Sequence, residues 1–188
     1  MYGDAYIICK KEKYCQTYPY INYINIPYSK EAPLSMIHKL HSNSFEIATS
    51  ILQVQIPAYT VEADYLNSTA IPRLYDTVYD IQNCGETFYG YFSGNKLVGF
   101  ISFIQEEERI DIHRLVVSPD FFKKGIATKL LLYIFNMFPP SMAYIVQTGK
   151  ANTPAITLYK KHNFIKVTDI ELPDGIVLTQ LKKTENIK

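Results

Sequence analysis

The chain has 188 residues, of which 47% are hydrophobic, and it carries a net charge of +1 at pH 7. This length and composition predict one globular domain with a substantial core. The balanced charge gives no indication of a nucleic-acid or membrane partner. The first residues lack the uninterrupted apolar segment of a signal peptide, and no apolar run reaches the length of a membrane span. We therefore expect a cytoplasmic protein.

The cysteines provide no sign of a metal site or a disulfide framework. Cys9, Cys15 and Cys84 form an odd set without the spacing of metal ligands. We expect free thiols in a reducing compartment and no bound metal.

Residues 1–33 form a tyrosine-rich N-terminal extension. Alternation of polar and apolar residues over Tyr20–Ile26, together with the short apolar run Ala5–Cys9, indicates two strands of a β-ribbon. Two interpretations stay open for this extension: a ribbon packed on the domain, or the contact surface of a homodimer. The main domain is expected to comprise residues 34–188.

The next segment predicts a helix, a loop and a second helix. Ser44 is a suitable N-cap for a helix over Ser44–Val54 that ends near Pro57. A loop is predicted over residues 58–72, and a short helix over residues 74–82. The loop carries aromatic and acidic side chains that are candidates for binding an amine substrate through ion pairing and cation–π attraction. These candidates are Tyr59, Glu62, Asp64 and Tyr65. A solvated loop that contacts no substrate is the alternative.

The rest of the chain alternates between strands and helices. Its apolar patterns and turn residues predict the following elements in chain order: strands 86–92, 97–105 and 110–117, a helix opening at 125–128, a strand 141–149, a helix over 151–164, and strands 164–172 and 175–181. This order gives an α/β (α+β) fold, with a mixed sheet and helices on both of its faces.

The segment Ile110–Phe138 contains a strand, a basic loop and a helix, and it is a candidate anion site. The first backbone N–H groups of the helix that opens at Gly125 have no partner within the helix, and the helix dipole is positive there. Lys123 and Lys124 precede this turn. A phosphate group could therefore meet both free amides and positive side chains. An ordinary βα unit has the same pattern, so the segment alone leaves both interpretations open.

Two segments carry distinctive residue spacings. The first has Phe122, Gly125 and Ala127, and the second has Asn152, Ala155, Leu158, Tyr159 and Phe164. Both segments resemble motifs of the GNAT superfamily of acyl-CoA-dependent N-acetyltransferases. The pyrophosphate loop of that superfamily has the form Arg/Gln-x-x-Gly-x-Gly/Ala, which Gly125 and Ala127 match and Phe122 does not. The second motif, Asn-x-x-Ala-x-x-Leu-Tyr-x-x-x-x-Phe, is the more specific match.

The resemblance implies a fold and a co-substrate. In the superfamily the mostly antiparallel central sheet contains a splayed pair of strands, and the pantetheine arm of acetyl-CoA enters the gap between them. The backbone of the central strand would pair with the amides of this arm as a neighbouring strand does. The residues implied to bind acetyl-CoA are Leu115, Val116, Val117, Phe122, Lys123, Lys124, Gly125, Ile126, Ala127, Thr128, Asn152 and Tyr159.

Acyl transfer to an amine needs a neutral amine, stabilisation of the oxyanion and a proton for the departing thiolate. By resemblance, Tyr159 donates that proton, and the backbone N–H of Val117 contacts the acetyl carbonyl oxygen. Asn152 would bind the pantetheine or order its loop. A structural role for the Tyr159 ring is the alternative.

The base is predicted on the central strand. Strict alternation places Asp111, His113 and Leu115 on one face and Arg114 on the other, where it is expected to form an ion pair. His113 occupies a position where members of the superfamily often carry a Glu that deprotonates the amine through water. An ordinary histidine pKa of about 6.5 suits a base. A structural His113 paired with Asp111 or Glu86 is the alternative.

Taken together, these features predict an N-acetyltransferase that moves the acetyl group of acetyl-CoA to a primary amine of a small molecule or peptide. Because no cysteine falls within the two motifs, direct attack in a ternary complex is favoured over an acetyl-enzyme. The alternatives are a non-catalytic acyl-CoA sensor and an interaction protein on the same fold.

Overall fold

Within the part of the chain that the structure describes, seven strands form a single sheet whose central strands bury apolar side chains on both faces. The computed structural model of the protein describes residues 36–173 and 175–184. The strands are β1 Ile37–Leu40, β2 Thr87–Ser93, β3 Lys96–Gln105, β4 Arg109–Val117, β5 Ala143–Gly149, β6 Ile165–Glu171 and β7 Val177–Lys183. Their order in the sheet is β1-β2-β3-β4-β5-β7-β6. The β4–β5 pair is parallel, and the other neighbours are antiparallel.

Within the described residues, four α-helices cover the two faces. They are α1 Phe45–Leu66, α2 Val78–Asn83, α3 Ile126–Met137 and α4 Thr153–Lys161, with short 3₁₀ turns at Pro72–Tyr75 and Pro119–Phe121. Ile51 of α1 and Ile81 of α2 pack in one core cluster, whereas Leu130 of α3 and Tyr159 of α4 pack in the other. The predicted mixed, mostly antiparallel sheet with helices on both faces is confirmed. In the part of the chain that the structure describes, every helix is too short or too polar to cross a bilayer.

The predicted loop over residues 58–72 is wrong, because α1 continues through Pro57 to Leu66. A proline inside a helix removes one backbone hydrogen bond and costs about 3 kcal/mol. The apolar stripe of α1 continues beyond it at helical spacing, with Ile51, Val54, Ala58 and Ala63 buried against the sheet. Burial of this stripe outweighs the local cost, so the helix ends one turn after the stripe does.

Three smaller differences concern the first part of the chain. Strand β1 was not predicted from the sequence, because only its two end residues, Ile37 and Leu40, are buried. The predicted helix 74–82 is a 3₁₀ turn followed by α2. Thr77 starts α2 by capping it in a reciprocal pair with Asp80. The predicted N-terminal ribbon, with its homodimer contact, lies outside the described residues.

The two central strands diverge as the resemblance implied. Pairing between β4 and β5 ends at Ile112 and Val146. Beyond these residues β4 stays paired with β3 as far as Val117, and β5 stays paired with β7 as far as Gly149. We call the resulting opening the β4–β5 gap.

A β-bulge in β4 corrects the predicted alternation. Ser102 of β3 pairs with Arg114, while the next residue, Phe103, pairs with Ile112, so His113 is an extra residue. Arg114 therefore lies on the same face as His113, and both side chains contact one carboxylate. Leu115 moves to the opposite face, where it packs in the core with α3. The prediction that Leu115 shares a face with His113 while Arg114 lies opposite is wrong.

Ile112 lies fully buried at the point where the strands part, and this position generates a prediction about stability. Ile112→Ala should lower the free energy of unfolding by about 2–5 kcal/mol, because it removes buried methylene and methyl groups and leaves a cavity. Urea denaturation measures this change. The control is Ile165→Ala on β6, where the side chain is 67% exposed, and its effect should stay within about 0.5 kcal/mol. Equal losses in the two variants would contradict the assignment of this core.

Candidate active site

The β4–β5 gap presents backbone amides of β4 that β3 does not use. The Ser118 N–H donates to the Val98 carbonyl at 2.8 Å, so the pair Val117 and Gly99 is a non-hydrogen-bonded pair of the antiparallel ladder. The N–H groups of Val117 and, two residues earlier, Leu115 therefore point toward the gap. Val116 differs from the expectation, because its amide pairs with β3 and its side chain packs against α1.

The open N-terminus of α3 lies directly after β4. Gly125 precedes it with a φ of 74°, and no atom lies within 4 Å of the point where a Cβ would be. The first helical hydrogen bond runs from the Lys129 N–H to the Gly125 carbonyl at 3.0 Å. The N–H groups of Ile126, Ala127 and Thr128 therefore precede that bond and are directed to the space beside Gly125.

The side chains around this turn divide into core and surface. Phe122 packs in the core with α3, so it anchors the loop and supplies no side-chain donor. Lys123 and Lys124 are exposed, and the Lys124 Nζ lies 4.3 Å from the centroid of the Phe121 ring. Lys123 has a φ of 60°, which shows that the tight turn begins before Gly125. Two positive charges thus flank the open amides.

Asn152 joins the start of α4 to α1. Its Oδ1 accepts from the Ala155 N–H at 3.1 Å and caps α4, while its Nδ2 donates to Glu62 Oε1 at 3.3 Å. A Cβ on Gly149, at the end of β5, would lie 3.3 Å from the same Glu62 oxygen. Asn152 therefore orders the loop beside the gap, which is one of the two roles expected of it. Tyr159 of α4 is fully buried, with its ring centroid 5.2 Å from that of Phe164.

The four proposed substrate contacts all lie on α1, and the structure separates them. Tyr59 and Glu62 are buried, whereas Asp64 and Tyr65 are exposed. Glu62 reaches the edge of the gap through Asn152 and Gly149. A helix cannot place side chains at these four positions in one site, because they project in different directions around its axis.

A buried cluster of charges lies under the bulge of β4 and centres on Glu86. Glu86 Oε1 accepts from Arg114 Nη2 at 3.1 Å and lies 3.2 Å from His113 Nδ1, while Oε2 accepts from the Ser102 hydroxyl at 2.6 Å. His113 Nε2 is 3.7 Å from Asp111 Oδ2. The structure thus brings Asp111 and His113 together as predicted. In residues 36–173 and 175–184, no group of three or more His, Cys, Asp or Glu side chains is placed to hold a metal ion.

Sequence reasoning missed Gln147 as a residue of this site. It follows Val146, the last residue of β5 that pairs with β4. Alternation with Tyr144 and Val146, which pack with α3, places Gln147 on the α1 face together with Asp111 and His113. Its buried Oε1 has no hydrogen-bond partner among the described residues. The signal in the sequence was a polar residue inside an apolar strand.

Comparison with known proteins decides the family. The profile of the acetyltransferase (GNAT) family matches residues 49–164. The chain belongs to the GNAT acetyltransferase family. It is also similar to the UPF0157 protein YqkA of Bacillus subtilis (strain 168), with 38% identity over 144 residues. That match covers 77% of this chain and 42% of the relative, so the chain spans less than half of the relative's length.

Solved GNAT structures share the fold. The ribosomal-protein-S18-alanine N-acetyltransferase of Escherichia coli superposes with a TM-score of 0.62 at 14% identity, covering 81% of this chain and 94% of that one. The PaiA N-acetyltransferase of Thermoplasma acidophilum, solved in complex with coenzyme A, gives a TM-score of 0.57 at 18% identity, covering 78% and 98% of the two chains.

In this GNAT domain the charge cluster changes the protonation of His113. Burial favours the neutral imidazole, but the nearby carboxylates of Asp111 and Glu86 outweigh burial and raise the pKa of His113 from 6.5 to about 9. Burial likewise disfavours ionised Glu86, yet the hydrogen bond from His113 and the charge of Arg114 hold the pKa of Glu86 below its ordinary value. His113 is therefore an imidazolium at neutral pH. The expectation that a pKa near 6.5 lets it act as a base does not hold.

This raised pKa generates a prediction about pH and stability. The folded protein keeps a proton on His113 that the unfolded chain releases above pH 6.5, so raising the pH favours unfolding. The stabilisation should be complete below about pH 6.5 and should be lost as the pH rises through about 9. Urea denaturation between pH 6 and 9.5 measures it, and His113→Gln should lose this part of the pH dependence. The same slope in both proteins would contradict the raised pKa.

Proposed function

We propose that this GNAT domain transfers the acetyl group of acetyl-CoA to a primary amine of a small molecule or peptide, by direct attack in a ternary complex. The observation that carries the proposal is the continuous row of backbone donors along the β4–β5 gap. The amides of Leu115 and Val117 face the gap, and the row ends at the open N-terminus of α3. An extended chain of amides that ends in a pyrophosphate has the matching chemistry.

The residues present fit acetyl-CoA in two ways. The gap edge of β4 can pair with the pantetheine amides as a neighbouring strand would. The amides of Ile126, Ala127 and Thr128 can then bind the pyrophosphate beside Gly125, with Lys123 and Lys124 adding positive charge. Acetyl-CoA supplies the activated acetyl group, and the N–H of Val117 is the donor for its carbonyl oxygen.

On the α1 face of the gap, the acceptor amine would meet oxygen acceptors. Asp111 has a carboxylate that is 32% exposed, and Gln147 offers a buried amide oxygen without a partner among the described residues. Both groups suit an ammonium ion or amine. His113 already holds a proton, so it orients Asp111, and the amine proton passes to Asp111 or to water. Glu62 of α1 adds a carboxyl oxygen at the end of the gap, where it accepts from Asn152.

Tyr159 is the proposed donor of a proton to the departing thiolate. Its ring is fixed in the core by Phe164, and α4 is fixed by the Asn152 cap. Both contacts restrict where the hydroxyl can point. A rigid donor loses little entropy in the transition state, which is the condition for efficient general-acid catalysis.

The cofactor site generates a prediction about binding. Acetyl-CoA should raise the Tm of the wild type by mass action, and Gly125→Glu should abolish this shift because a negative side chain would occupy the phosphate position. Differential scanning fluorimetry provides the measurement. Gly85→Glu is the matched control, because Gly85 also has a positive φ and open space around its Cβ position. A shift that persists in folded Gly125→Glu would place the pyrophosphate elsewhere.

The proton donor generates a kinetic prediction. With an acceptor identified from a panel of amines by release of free thiol, Tyr159→Phe should lower kcat about 10- to 1,000-fold and leave the Kd for coenzyme A nearly unchanged. Tyr144→Phe is the control, since Tyr144 is buried in the same core and its hydroxyl has no partner among the described residues. Wild-type turnover in Tyr159→Phe, under conditions where chemistry limits the rate, would leave Tyr159 a structural residue.

A further inference from the structure

The bulge in β4 determines which amides reach the gap. Before the bulge, the Glu106 N–H donates to the Arg109 carbonyl at 2.9 Å. This bond makes Ile110 and Ile112 the residues whose amides face β5. After the bulge, the odd-numbered Leu115 and Val117 take that position. In a regular strand of the same sequence, with no bulge, the amides of Arg114 and Val116 would face the gap instead.

Two consecutive side chains of β4 converge on one oxygen atom at the bulge. His113 Nδ1 and Arg114 Nη2 lie 3.2 and 3.1 Å from Glu86 Oε1. Neighbouring residues of a regular strand project to opposite faces, so both contacts can form only while the bulge exists. The contacts of Glu86 with His113 and with Arg114 therefore each stabilise the bulged conformation.

The burial of the three groups makes this contact strong. The side chains of Arg114, His113 and Glu86 are 0%, 7% and 2% exposed. Arg114 has further partners in Asp76, at 3.5 Å, and in Gln55. Among the described residues, the one further ion-pair contact of His113 is with Asp111, at 3.7 Å. Loss of Glu86 would leave Arg114 only the 3.5 Å contact with Asp76 and His113 only the 3.7 Å contact with Asp111 as ion pairs. Because it is costly for a buried cation to lose part of its counter-charge, this loss favours a strand in which the two side chains move apart.

We infer that Glu86 is a positioning residue of the acyl-transfer site: by binding His113 and Arg114 together it fixes the bulge, and the bulge directs the amides of Leu115 and Val117 into the β4–β5 gap. The inference rests on the proposed function, because these amides are the donors assigned to acetyl-CoA. Glu86 itself contacts neither substrate. It acts through the backbone of β4.

The test compares Glu86→Gln with Asp169→Asn. Asp169 of β6 is a matched control, because its carboxylate also contacts two cations and a hydroxyl, those of Lys150, Lys166 and Thr179. Two properties are measured: the backbone ¹H–¹⁵N resonances of Leu115 and Val117, and the Kd for coenzyme A by calorimetry. In Glu86→Gln both resonances should move and the Kd should rise about tenfold or more. In Asp169→Asn neither property should change.

Each other outcome overturns the inference. Unmoved resonances in folded Glu86→Gln would show that Glu86 does not set the bulge, whatever the Kd. Moved resonances with a Kd within about twofold of wild type would show that this geometry does not serve binding. If Glu86→Gln fails to fold, His113→Gln, which removes one of the two cations that Glu86 binds, takes its place with the same measurements.

Failure of the proposed function can be distinguished from failure of the inference about Glu86. A wild type that binds coenzyme A but acetylates no amine would refute acetyl transfer to amines and leave the test of Glu86 intact. A wild type that does not bind coenzyme A would refute the cofactor assignment, and the resonances alone would then decide whether Glu86 sets the bulge.

Discussion

One carboxylate between two buried cations determines the shape of the central strand. Arg114 is fully buried, and a guanidinium without a carboxylate in such a position is strongly destabilising. Glu86 and Asp76 supply the charge, and the bulge at His113 lets the strand present both cations to Glu86. Without this bulge, Arg114 would project into the apolar core that α3 covers. The polar cluster on one face and the apolar core on the other are therefore two results of the same irregularity.

The β4–β5 gap also involves strand β4, but it forms because the pairing of β4 with β5 ends early. Parallel pairing of β4 with β5 lasts for four residues, and each strand then continues with its outer neighbour. Backbone donors on the inner edges become available because no strand fills the space between them. Asn152 closes one end of this space by tying α4 to Glu62 of α1. The donors proposed for acetyl-CoA are thus mainly backbone groups.

The sequence predicted the fold better than it predicted the details of the site. Strands β2 to β5 and the start of α3 follow from apolar periodicity and turn residues, which are local signals, whereas the motif around Asn152 was identified by its resemblance to the family. The continuation of α1 past Pro57 was not predicted, because a proline by itself indicates the end of a helix. The apolar stripe that continues beyond Pro57 is the signal that indicates otherwise. A stripe buried by tertiary packing outweighs a local propensity.

The bulge could not be predicted, because it depends on a contact between residues 27 positions apart in the chain, Glu86 and His113. Strict alternation is the correct expectation for a strand considered alone. The raised pKa of His113 could not be predicted for the same reason, because the neighbouring carboxylates of Asp111 and Glu86 cause it. Gln147 was detectable as a polar residue inside an apolar strand. Only the position at which the β4–β5 pairing ends shows that this residue borders the gap.

The proline in α1 has a mechanical consequence. Pro57 has no N–H to donate to the carbonyl of Gln53, so one rung of the hydrogen-bond ladder is missing halfway along the helix. Both residues lie on the exposed side, where water can satisfy that carbonyl and a helix bends most easily. The half before Pro57 is anchored on the sheet through Ile51, and the half after it carries Glu62 to the end of the gap. The lowest bending stiffness of α1 therefore lies between the half that precedes Pro57 and the half that borders the gap.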